Sequence, residues 1–222
     1  MRRPLTPTLV LATSALLLLG CAPAAPAAPT PTAEPTPMTT SSSPAPTPEV
    51  DPQMVVSLDG ITATDASGTS SADYDDPTAL LALLEKSTGE LPEPETVEIF
   101  PGEPSTLQRF DWDGLSVLAD SKRDSPASLT ITAADISGIP VSTAEGLRVG
   151  STRAELVDTG AWALTDDQDA ATATDLGLGG QEVPGTQSLT HPGSVGILFT
   201  LFVLEGDTVT RILVPSNDFS DL

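Results

Sequence analysis

The chain of 222 residues holds one cysteine, Cys21, and one histidine, His191, against 31 acids and nine basic residues. A serine hydrolase needs a serine set beside its histidine, and no G-x-S-x-G is present. His191 lies in Ser188-Leu189-Thr190-His191-Pro192-Gly193, a composition that predicts a turn. One histidine and one cysteine cannot furnish a zinc site. Asp111-Trp112-Asp113-Gly114 opens with the rhythm of a calcium loop, but the fifth position is Leu115 and the twelfth is Lys122. Those four residues are expected at a strand end and turn, and Asp166-Asp167-Gln168-Asp169 in a solvated loop. Gly177-Leu178-Gly179-Gly180 lacks the lysine of a phosphate loop. No catalytic residue, metal or cofactor is therefore expected. Core or half-buried positions account for Trp112 and Trp162 without a function, and a binding face lined by the two is the alternative.

Cys21 follows Leu18-Leu19-Gly20, at the end of an apolar run over residues 9–19 that Arg2 and Arg3 precede. Eleven residues are too few to span a bilayer core, which takes about 20. A basic start, a short apolar run and a small residue before the cut mark a removable export segment. The arrangement resembles the signal of bacterial lipoproteins. That resemblance implies cleavage after Gly20, a diacylglyceryl thioether on Cys21 and anchorage on the extracytoplasmic face of the cell membrane. One acyl chain binds only marginally at about 0.8 kcal/mol per methylene, whereas two hold firmly. A freely secreted product cut within Ala22-Pro23-Ala24-Ala25 is the alternative.

With residues 1–20 removed, seven basic residues face 31 acids. Such a charge repels nucleic acid and anionic lipid headgroups, so neither is expected as a direct partner. From Ala22 to Pro48 the chain is almost all Ala, Pro, Thr and Ser, with Pro at nine of 27 positions, and it cannot bury enough surface to order itself. At about 3.1 Å per residue in a polyproline conformation it can reach ~80 Å, as a spacer between lipid and folded body.

The remainder must supply the elements. Residues 54–64 read as a strand pair turning at Asp59-Gly60. Asp76 as cap, Pro77 at the first helical position and Gly89 as stop predict a helix over 77–88. Strands are expected at 96–100, 107–112, 115–119, 129–135 and 139–144. Thr152 and Glu155 form a capping box for a helix over about 153–159. Residues 166–180 are expected as loop and 215–222 as an irregular tail. Residues 195–204 and 208–214 are expected as a hairpin turning at Glu205-Gly206-Asp207.

Gly146-Leu147-Arg148-Val149-Gly150-Ser151-Thr152-Arg153-Ala154-Glu155 resembles the G-x-x-x-G-x-(S/T)-R-x-E helix start of many small exported bacterial lipoproteins. These include proteins with the fold of the beta-lactamase-inhibitor protein, and the whole layout looks like lipoproteins of GC-rich Gram-positive bacteria. The order of strands, helix, strands, then helix and strands again predicts an α+β class with helices packed on antiparallel sheet in two divergent repeats, the fold the resemblance also implies. The expected organisation is a signal peptide at 1–20, lipidated Cys21 and tether at 21–52, and repeats at 53–144 and 145–222. The expected function is a non-catalytic binding or interaction module of the cell envelope, held to the membrane by acyl chains on Cys21. Its partner would be an envelope protein or wall component. An acid-dependent hydrolase or wall-modifying enzyme is the alternative.

Overall fold

Asp76 begins the first helix as its sequence requires: its carboxylate accepts from the Ala79 amide at 3.0 Å, and Pro77 takes the first helical position. This helix, α1, is Pro77–Thr88, and Gly89 ends it in the left-handed conformation at φ 85°. The second helix, α2, is Arg153–Asp158, opened by a complete capping box in which Thr152 and Glu155 bond reciprocally. The computed structural model describes residues 50–219. Leu18, Leu19, Gly20, Cys21 and most of the expected tether lie outside the described residues.

The strands are β1 (Gln53–Val56), β2 (Gly60–Asp65), β3 (Gly68–Asp73), β4 (Glu95–Phe100), β5 (Glu103–Trp112), β6 (Leu115–Asp120) and β7 (Ser128–Ile131). After them come β8 (Asp135–Ile136), β9 (Ile139–Thr143), β10 (Trp162–Ala163), β11 (Asp175–Glu182), β12 (Ile197–Glu205) and β13 (Thr208–Asn217). The chain is thus mostly β. A five-stranded sheet has the order β3-β2-β1-β9-β8 and is antiparallel except where β1 meets β9. An eight-stranded antiparallel sheet has the order β10-β11-β12-β13-β7-β6-β5-β4. It consists of two four-strand meanders, one after each helix, whose last strands β7 and β13 pair at the centre. Strands from both sides of the expected 144/145 boundary therefore share one sheet, and the described residues fall within one compact unit.

Period-two alternation decides which face of the large sheet is dry. Trp112, Leu115, Ile131, Ile212, Phe202 and Leu176 stand opposite one another on successive strands, and none is more than 6% exposed. The core between the sheets adds Met54, Val56 and Ile61 from β1 and β2, and Leu80 and Leu84 from α1, which lies against β2 and β3.

Three segments differ from their expected structure. Residues 129–135, expected as one strand, divide between β7, which ends at Ile131 in the large sheet, and β8, which begins at Asp135 in the small one. Residues 175–182 form β11 rather than loop, and β13 runs on to Asn217 rather than ending at Val214. Gly177, which helps hide β11, has a packing reason described below. No helix among the described residues is long and apolar enough to cross a membrane.

Candidate functional site

The other face of the large sheet is not covered by the core. One residue out of step with the buried row, Trp162, Gly177, Leu201, Leu213, Thr130, Ser116 and Asp111 also stand opposite one another across successive strands. Leu201 and Leu213 are half-buried, as is Val203 two residues along β12. Trp162 packs its ring 5.2 Å from that of Phe199, at an interplanar angle of 53°, and donates its indole N–H to the Gly179 carbonyl at 3.3 Å. Phe199 is 3% exposed yet belongs to this small cluster and not to the main core. Gly177 lies beneath the indole: a Cβ there would come within 2.6 Å of the Trp162 ring. The glycine that makes β11 read as loop is what lets Trp162 lie flat on the strand.

Toward β4 the same face turns polar. Arg109 donates to Glu95 at 2.5 Å and to Asp111 at 2.8 Å, with all three side chains 45% or more exposed, so these pairs contribute at most about 1 kcal/mol each. Burial raises the Asp111 carboxyl, but the Ser116 hydroxyl and the Arg109 guanidinium outweigh it and leave the group below its ordinary value. A shallow depression of about 340 Å³ lies beside it, lined by Glu95, Thr96, Val97, Glu98 and Arg109.

The chain matches no family model, no curated protein and no solved structure. Its chemistry has to be read from its own geometry.

That geometry corrects one expectation. Trp112 lines no binding face: it is 6% exposed in the core, and its indole N–H is shared between Thr88 Oγ1 at 3.2 Å and the Glu90 carbonyl at 3.1 Å. The register of β5 puts Trp112 on the dry side and Asp111 on the open one. Trp162 does lie on the open face. Asp111 to Gly114 end β5 and turn into β6, with Gly114 at φ 88°. Among the described residues no group of three or more His, Cys, Asp or Glu can hold a metal ion.

A second polar cluster went unseen in the sequence because its members are 30 residues apart. Asp218, 7% exposed, accepts from the Ser188 hydroxyl, from Thr190 Oγ1 at 3.1 Å and from the Ile197 amide at 2.7 Å. It ties the 183–196 loop to the end of β13. His191 Nδ1 is 2.9 Å from Thr190 Oγ1, and its Nε2 is 3.2 Å from Asp166 Oδ1. Ser188 Oγ is taken by the Asp218 carboxylate and by the His191 main-chain N–H, so the imidazole does not activate it. The arrangement is a loop clasp.

Burial raises the Asp218 carboxyl, and the hydrogen bonds from Ser188, Ile197 and Thr190 more than reverse this, leaving it below the ordinary carboxylate value. A depressed folded value means that Asp218 stabilises the fold above pH ~4, and that this stabilisation fades as the pH falls through the folded value. Asp218→Asn is expected to cost about 1–3 kcal/mol at pH 7, with the gap to the parent narrowing below pH ~4. Chemical unfolding of both proteins at pH 7 and pH 3 measures it; a gap that does not change with pH would refute the ionised clasp.

Proposed function

We propose that this chain is a lipoprotein anchored through Cys21 to the extracytoplasmic face of the cell membrane, where it acts without catalysis as a binding module of the envelope. The observation that carries the binding part is the open sheet face, where Trp162, Leu201 and Leu213 form an apolar surface that the core leaves uncovered. An indole and two leucines stand in register there and stay part-exposed, and apolar surface of that kind supports an interaction site. The anchor part rests on the sequence Leu18-Leu19-Gly20-Cys21.

The two-repeat reading belongs to the same proposal. Its support is the helix-then-meander order of both halves and the meeting of their fourth strands, β7 and β13, at the centre of one sheet, as an approximate two-fold axis would require. In this reading each helix packs on the side of the core. The hydrolase alternative draws less from the geometry. The acids Glu145, Glu155 and Asp158 share an open depression of about 290 Å³. There Glu155 is committed to the α2 cap, and the Thr152 amide and hydroxyl hold its carboxyl below the ordinary value, the wrong direction for a general acid.

Two measurements test the proposal. Cys21→Ser is expected to abolish lipid attachment, so that the protein leaves the membrane fraction or persists as uncut precursor; unchanged processing and retention would refute the anchor. A photo-crosslinking residue at position 213, in intact cells, is expected to give discrete adducts with an envelope protein or wall component. The same probe at exposed Gly102 should not, and adducts equal at both positions would refute a binding role for the face.

A further inference from the structure

We infer that the Trp162–Leu201–Leu213 part of the open face docks a protein segment that carries lysine or arginine around an apolar contact. The inference rests on the binding-module reading and adds the chemistry of the partner.

Three observations define that chemistry. The contact centre is apolar: Trp162 over Gly177, then Leu201 and Leu213 in register, with Val203 beside them. Its surroundings are acidic. Asp166, Asp167 and Asp169 follow Trp162 in the chain and are exposed, Asp175 pairs with Val203, Glu182 pairs with Ile197, and Glu205 closes β12. The cations nearby are largely spoken for by the protein itself. Arg109 is bridged to Glu95 and Asp111, and Arg153 donates to Asp207 at 2.8 Å and to the Ala170, Ala173 and Gly206 carbonyls. Arg211, exposed, stands on this face across from Val203 and two residues before Leu213, with Asp175 on the other side of Val203 from it.

With a formal charge of −22, the chain repels acidic polymers, anionic lipid surfaces and a second copy of itself, and it steers cations inward. A lysine or arginine reaching such a rim lays its aliphatic stem on the leucines and its charge against the carboxylates. The half-buried indole of Trp162 adds an aromatic ring on which a guanidinium can stack.

The test uses the full chain, purified, and two 14-residue amphipathic peptides, one of leucine and lysine and one with glutamate in place of every lysine. Tryptophan emission reads the binding, because Trp112 is buried and Trp162 is not. The Leu/Lys peptide is expected to bind and shift the emission, more weakly as salt rises, and the Leu/Glu peptide to bind at least about tenfold more weakly. Leu201→Gln with Leu213→Gln leaves the charge unchanged and is expected to weaken Leu/Lys binding by about tenfold or more. Trp162→Phe should remove the emission change while calorimetry still detects binding.

Equal affinity for the two peptides would overturn the inference, and so would an unchanged affinity in the double glutamine variant. A dimer seen by sedimentation and dissolved by that variant would also overturn it, in favour of a second copy as occupant. If adducts form at position 213 in cells while the Leu/Lys peptide fails to bind, the partner's chemistry falls and the binding module stands. If both fail, the module falls with it.

Discussion

Phe202→Ala is expected to lower the stability of the folded body by about 3–5 kcal/mol, seen as a lower urea midpoint at nearly unchanged slope. Phe202 is fully buried on β12, in the middle of the dry row, with Leu176 on one side and Ile212 on the other. Truncation removes the transfer free energy of the ring and leaves a cavity. That cavity is flanked by Leu176 of β11 and Ile212 of β13, and β13 is itself held by β7, so the surroundings cannot close around it. The neighbouring Leu201, on the open side of the same strand, provides the contrast: Leu201→Ala is expected to cost about 1 kcal/mol, since it is only half-buried and leaves no enclosed void. Equal losses at the two positions would mean that the open face is in fact covered.

Gly60→Ala is expected to cost about 3 kcal/mol, although it adds one methyl group. A Cβ at Gly60 would lie 2.1 Å from the Ala72 carbonyl oxygen and 2.8 Å from the Asp73 Cα. Both are backbone atoms of β3, so no side chain can swing aside. The pairing of Gly60 with Asp73 must open instead, and with it the bond from the Tyr74 amide to the Asp59 carbonyl at 3.1 Å. Gly68, at the hairpin between β2 and β3, tests the cause. It has φ 125° and nothing within 4 Å of a Cβ, so Gly68→Ala meets backbone strain alone, at about 1–2 kcal/mol. Hydrogen exchange separates the two, since only Gly60→Ala should expose the β2–β3 amides.

These glycines show why local sequence carries some of this protein and not the rest. Gly89 needs left-handed φ and has nothing within 4 Å of a Cβ, a local requirement that its neighbours announce: a leucine-faced helix capped by Asp76 runs up to it. Gly60 and Gly177 are glycine because something distant in the chain presses on them, the Ala72 carbonyl in one case and the Trp162 ring in the other. Nothing beside Gly177 in the sequence reports an indole 15 positions earlier, so β11 read as loop, although Leu176 and Leu178 alternate as a strand's should. Trp112 shows the same limit in reverse. Its type suits a binding face or a core equally, and the pairing of β5 with β6 puts it in the core.

The amino-acid order alone determined what depends on near neighbours. Both helices with their caps are of this kind, because each cap bonds backbone groups within about four residues of itself. So are the turns at Asp113-Gly114 and Glu205-Gly206-Asp207, and the acidity that sets the long-range field. Tertiary structure alone decided which side of each strand is wet, since a shift of one residue in register exchanges the faces. That choice placed Trp162, Leu201 and Leu213 together outside and Phe202 inside, and it brought Asp218 to Ser188, Thr190 and Ile197 across the end of the sheet.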